Sequence, residues 1–147
     1  MDAALPTWLY QRIVDDSPEA IVVADTDGLI RLWNHAAEEI FGYASEETVG
    51  HSLDLIIPEP QRERHWAGYR AVMDSGQTKY GRDLLAVPAV RKDGARISVE
   101  FHVTLLRDDT GRLAGIAALI RDVTAHWQRD RALQQRLREL EASRSSP

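Results

Sequence analysis

Apolar and polar positions fall into a short series of distinct patterns along the chain. Ala20–Ala24 (AIVVA) is a brief run rich in β-branched residues and predicts a strand. Asp25–Gly28 (DTDG) reads as a turn in which Gly28 can take positive φ, and Leu29–Trp33 (LIRLW) as the returning strand. From Asn34 the pattern becomes helical: Asn34 can cap HAAEEIF, which Gly42 ends. Ser45–Thr48 opens another short helix, without the acid that a full capping box starting at Ser45 would need, and Gly50 ends it. Leu53–Ile57 is a short apolar segment before Pro58. Glu59 to about Asp74 reads as a longer helix with Pro60 in its first turn. Arg62, His65, Tyr69 and Met73 share one stripe of it, Trp66 and Val72 flank that stripe, and Ser75-Gly76 stops it.

Three longer strands are predicted next. Lys79–Arg91 is the first, and Pro88 inside it points to an edge or bulge. After the Lys92-Asp93-Gly94 turn, Arg96–Leu106 alternates: Ile97, Val99, Phe101, Val103 and Leu105 on one face, Ser98, Glu100, His102 and Thr104 on the other. Asp108–Gly111 turns the chain into Leu113–Val123, the last strand. Residues 125–143 are charged and helix-forming, with Leu133, Leu137 and Leu140 at i, i+4 and i+7, and the tail Ser143–Pro147 is expected to fray. Residues 6–17 can form an amphipathic helix carrying Trp8, Leu9, Ile13 and Val14. It either covers its own domain or offers a cap or dimer face. Antiparallel hairpins at both ends and a helical middle predict an α+β fold: one five-stranded antiparallel sheet with short helices on one face, flanked by N- and C-terminal helices.

The length of 147 residues fits one domain with short extensions, and 44% hydrophobic with 28% charged residues is an ordinary globular balance. The net charge of −5 argues against a nucleic-acid partner. The absence of cysteine rules out disulfides, thiolate metal sites and cysteine nucleophiles. No basic start precedes an apolar run, and no apolar run approaches the roughly 20 residues that span a bilayer, so a cytoplasmic protein without a membrane partner is expected. No phosphate-cradling glycine loop, exposed serine elbow, or kinase or cyclase signature is present, so no enzymatic activity is expected. His35, His51, His102 and His126 make no ligand-spaced pair. Glu38-Glu39, Glu46-Glu47 and the cluster Arg31, His35 and Glu38 read as solvated surface.

Specific residues resemble the PAS (S-box) sensory fold. SPEAIVVADTDGLIRLWNHAAEEIFGY is similar to its N-terminal half, with Asp25, Gly28, Asn34, Ala37, Phe41 and Gly42 in the pattern. VRKDGARISVEF and DDTGRLAGIAALIRDVT are similar to its C-terminal half. The ending Arg121-Asp122-Val123-Thr124 resembles the Asp-x-Thr exit at which such cores pass into a signalling helix. The resemblance divides the chain into an N-terminal cap helix (1–16), a PAS domain (17–124), and a signalling helix with its tail (125–147). It implies a sheet and helices enclosing a pocket of variable content. A cysteinyl-flavin or coumarate chromophore is excluded, because each needs a cysteine.

Pro58-Glu59-Pro60-Gln61-Arg62-Glu63-Arg64-His65 resembles more narrowly the heme PAS domains of oxygen-sensing nitrogen-fixation kinases. That resemblance implies heme b as a candidate cofactor and His65 as its iron ligand. Tyr69, Arg82, Leu85, Phe101 and Val103 are the further candidates for the pocket. The sequence departs from those kinases at two places. Leu85 stands where they carry the arginine that meets bound oxygen, and Ala71 where they carry a propionate-binding arginine. Arg70 and Arg82 are the cations that could compensate.

The expected function is a signal-sensing module. It binds a small ligand in its core and passes the state through Asp122 and Thr124 to the C-terminal helix. From there the state reaches a homodimer partner along Leu133, Leu137 and Leu140, or a kinase or other effector in cis or in trans. The alternative is a ligand-free interaction or dimerisation module. The leucine stripe either pairs two chains or folds back on its own sheet.

Overall fold

In the computed structural model, which describes residues 4–78 and 83–144, the alternating segments pair into one antiparallel sheet. Its strands are β1 (Ala20–Asp25), β2 (Ile30–Trp33), β3 (Leu85–Val90), β4 (Arg96–Arg107) and β5 (Leu113–Asp122). They lie in the order β2-β1-β5-β4-β3, so the N-terminal hairpin and the C-terminal three strands join where β1 meets β5. The α1 helix (Thr7–Asp15) precedes the sheet. Between the two groups of strands come α2 (His35–Phe41), α3 (Ser45–Thr48), a 3-10 turn (Leu53–Ile56) and α4 (Glu59–Ser75), and α5 (Thr124–Arg144) follows. The α+β class and the five antiparallel strands match the sequence expectation.

The period-2 pattern decides which face is covered. Ala20, Val22 and Ala24 of β1 are buried, as are Ile97 and Val99 of β4 and Ile120 of β5. Phe41 at the end of α2 is fully buried and tilts against Trp33, with ring centroids 5.3 Å apart. Burying one such ring is worth about 2–3 kcal/mol.

Asn34 does more than cap α2. Its Oδ1 accepts the amides of Ala37 at 3.1 Å and Ile21 at 2.9 Å, and its Nδ2 donates to the carbonyls of Val14 at 2.8 Å and Glu19 at 3.0 Å. The buried side chain thus ties α2, β1 and the end of α1 together, with both amide ends satisfied.

Two local expectations are corrected. The α3 helix is capped from Ala44, not Ser45, and Glu47 reaches back to the Ala44 amide at 2.7 Å. Alanine has no acceptor to return that bond, so only half of a capping box forms. The β3 strand begins at Leu85, because Asp83 and Leu84 stand outside the ladder; the earlier part of the expected strand and Arg82 lie outside the described residues. Residues 145–147 of the expected frayed tail also lie outside them.

The leucine stripe of α5 does not fold back on its own sheet. Leu133, Leu137 and Leu140 are 61%, 58% and 56% exposed, and no residue of α5 is buried. In α1, Trp8 and Ile13 are exposed while Leu9 and Val14 are half-buried. No described helix is long and apolar enough to cross a membrane.

Candidate functional site

α4 crosses the covered face of the sheet and holds its stripe toward it. Pro60 sits in the first turn, and Gly76 ends the helix at φ 68°. Arg62 pins the start of α4 to the 3-10 turn, its Nε donating to the Ile57 carbonyl at 3.0 Å and Nη2 to the Asp54 carbonyl at 3.3 Å. Trp66 Nε1 donates to Asp54 Oδ1 at 2.7 Å. Tyr69 is buried and its hydroxyl donates to the Asp25 carbonyl at the end of β1. Burial, helped by Asp25 and Asp27, pushes the Tyr69 phenol up to about 12, so it remains a donor. α4 is thereby fastened to the 3-10 turn and to the β1–β2 turn.

Between α4 and the sheet lies a cavity of about 110 Å³. The register explains why space remains there. Ala118 on β5 sits between Val22 on β1 and Val103 on β4, and Ala24 sits opposite Ile116. These two alanines leave room that larger residues would fill. Phe41, the 3-10 turn residues Leu53 and Ile56, and Val87–Ala89 of β3 complete the walls with Ile57, Val99, Phe101 and Ile120. His65 is the single wall residue with a polar side chain.

His65 is held on edge by its neighbours: Trp66 meets it nearly perpendicularly at 4.7 Å and Tyr69 lies 5.8 Å away. Its Nδ1 is buried and has no hydrogen-bond partner. Burial lowers the imidazole pKa below the usual 6.5, outweighing the upward pull of Asp54, so the ring is neutral near neutral pH. A buried polar nitrogen left without a partner costs about 1–3 kcal/mol.

The sequence candidates separate into groups. His65, Phe101 and Val103 line the cavity. Leu85 lies opposite Phe101 in the ladder but outside the walls, and Tyr69 spends its hydroxyl on Asp25. Arg70 and Ala71 are exposed, and Arg82 is outside the described residues. Asp54, Ala24 and Ala118 shape the site and carried no sequence signal for it, while Trp66 was legible as a neighbour of His65 but not as the partner of Asp54. The contact of Trp66 with Asp54 spans 12 positions, and the alanines matter only through the register.

Heme makes three demands of such a site. An apolar wall with one unpartnered imidazole meets the first. The other two are room and positive charge for the propionates. Pockets for drug-sized molecules run to roughly 300–1,000 Å³, well above the 110 Å³ here. No lysine or arginine lines the cavity among the described residues. As it stands, the cavity does not fit heme. No group of three or more metal-ligating side chains gathers elsewhere among the described residues.

At the C-terminal end of β5 the chain passes into α5 through a closed knot. Thr124 Oγ1 donates to Asp122 Oδ1 at 2.6 Å and accepts the Ser98 amide at 2.9 Å. Asp122 Oδ1 also accepts the Thr124 amide at 3.0 Å, and the Val123 amide reaches the Ser98 carbonyl at 2.9 Å. Ser98 neighbours Val99, a cavity wall residue, on β4. The first turn of α5 and the cavity wall therefore share one strand.

The sequence pattern of the family described as PAS fold matches residues 9–123. Sensor protein FixL of Bradyrhizobium diazoefficiens is 31% identical over 133 residues, covering 88% of this chain and 25% of FixL. Oxygen sensor protein DosP of Escherichia coli is 25% identical over 123 residues, covering 84% of this chain and 15% of DosP. The chain thus spans a quarter or less of the length of these curated relatives. The crystal structure of a PAS domain of a Colwellia psychrerythraea protein superposes with a TM-score of 0.69 at 23% identity, over 80% of this chain and 98% of that one. That likeness concerns the fold.

Proposed function

The chain belongs to the PAS family, and on that premise we propose that it is a signal-sensing module whose α4–sheet cavity takes a small ligand beside His65. The observation that carries the reading is His65, the one polar side chain in an otherwise apolar described wall, with its Nδ1 buried and without a hydrogen-bond partner. Relatives named as sensors, FixL and DosP, support it. Ligand occupancy acts on Val99 and Ser98, and the Asp122–Thr124 knot carries the strain into α5. A ligand shifts that equilibrium only as far as it binds the two states unequally. The exposed leucines of α5 pair with those of a second chain, which gives the helix the packing that an isolated helix of this length lacks. The module has no catalytic step, and it serves a kinase or another effector in cis or in trans.

Xenon tests the cavity without presupposing a ligand, because dry apolar cavities of this scale admit it. Amide and methyl spectra of the full chain under xenon pressure should shift at Ala118, Val103 and Ile120. Unmoved signals there would support the second reading, a ligand-free interaction module, which the small volume and the exposed α5 stripe favour. Heme is tested by adding hemin to the chain and to His65→Ala and recording the Soret region. The expected result is no band that depends on His65. A His65-dependent band would make heme the ligand.

A further inference from the structure

We propose, resting on the sensor reading above, that the ligand is a neutral one-ring molecule bearing a hydroxyl, phenol being the simplest member, hydrogen-bonded to His65. Four features of the site lead there.

Size comes first. An apolar cavity of about 150 Å³ accommodates benzene. The 110 Å³ here is of that order and holds one six-membered ring at most, with slight yielding of the walls. The lining comes next. The walls are alanines, branched aliphatic residues, Pro88 and the rings of Phe41 and Phe101, so the body of the ligand must be apolar.

Charge is the third feature. The described walls contain no ionised group to pair with a carboxylate, phenolate or ammonium, and an unpaired charge transferred there loses its hydration uncompensated. The polar group is the fourth. His65 is neutral in its buried setting, so each ring nitrogen is either a donor or an acceptor, according to the tautomer. A hydroxyl both donates and accepts, so it satisfies His65 in either tautomer. A ketone or an ether serves only one of them.

The test is calorimetric titration of the full chain with phenol, benzene, benzoate and hemin, repeated on His65→Leu and on Ala118→Val. Thermal unfolding establishes that each variant is folded. Phenol is expected to bind about tenfold tighter than benzene, the worth of one buried hydrogen bond. The preference should vanish in His65→Leu, which keeps benzene binding. Benzoate should not bind, and Ala118→Val should weaken phenol and benzene alike by filling the space. Equal affinity for phenol and benzene, or a preference that survives in His65→Leu, overturns the ligand class and leaves the sensor reading intact. Hemin binding alone does the same. If none of the four probes binds a folded wild-type chain, the sensor reading falls with it.

Discussion

The hydroxyl of Thr124 donates to the carboxylate of Asp122 across 2.6 Å while accepting the Ser98 amide at 2.9 Å. One side chain therefore joins the end of β5, the start of α5 and the start of β4. Asp122→Ala removes the acceptor that orients this hydroxyl. The expected outcome is ligand affinity within about twofold of wild type together with loss of ligand-induced shifts in the α5 amides. Amide spectra with and without phenol check it. An α5 response that survives the substitution removes the junction from the relay.

Gly28 and Trp66 form the second specific contact. Gly28 has φ 80°, and a Cβ placed on it would lie 2.2 Å from Trp66 Cη2 and Cζ3. Gly28→Ala meets both a left-handed backbone cost of about 1–2 kcal/mol and a clash of about 1–3 kcal/mol. In a Trp66→Leu background, which carries its own loss of the Asp54 hydrogen bond and of packing, Gly28→Ala should cost only the backbone part. Urea unfolding of the two single variants and the double should therefore show coupling of about 1 kcal/mol or more. Simple additivity would mean that Trp66 does not pack there.

Much of this fold was legible because its signals are local. The alternation of Ile97, Val99, Phe101 and Val103, the turn glycines and the Asn34 cap each depend on neighbours a few positions away. The site was legible only in part. His65 stood out because Pro58-Glu59-Pro60-Gln61-Arg62-Glu63-Arg64-His65 resembles a segment of the heme PAS domains. The space beside it arises where Ala118 falls between Val22 and Val103, a consequence of strand register that no local window contains. Tyr69 likewise read as a pocket residue. Its hydroxyl instead reaches Asp25, 44 positions away, an acceptor that only the tertiary fold supplies.

Asn34→Asp tests the buried hub. The carboxylate retains the acceptor for Ala37 and Ile21 but cannot donate to Val14 and Glu19. It also brings charge into a side chain that is 1% exposed. A loss of about 2–4 kcal/mol in urea unfolding is expected, with the end of α1 released. A loss below about 0.5 kcal/mol would show that the hub is not structural.

Leu137→Glu addresses the α5 surface. The proposed pairing predicts that light scattering reports two chains for wild type and one for the variant. The melting temperature of the sheet domain should hardly change, because Leu137 is exposed and α5 holds no buried residue. A monomeric wild-type chain contradicts the pairing.

His65 also sets a pH dependence. Its folded-state pKa lies below 6.5 because of burial, opposed in part by Asp54. As pH falls through 6.5 the unfolded chain takes up the proton first, so stability present above 6.5 is lost as pH falls toward the folded-state value. The urea midpoint of wild type should therefore drop more steeply than that of His65→Leu between about pH 7 and 5. Parallel profiles would place His65 in solvent.

The most direct test of the site is the long-range ¹H–¹⁵N spectrum of the histidine side chains near neutral pH, recorded before and after phenol is added. The chain has five histidines, and four of them lie away from the cavity. The account predicts that the His65 ring nitrogens shift and saturate with phenol concentration while those of His35, His51, His102 and His126 stay in place. A His65 signal that does not move, or five signals that move together, would contradict a ligand site at His65.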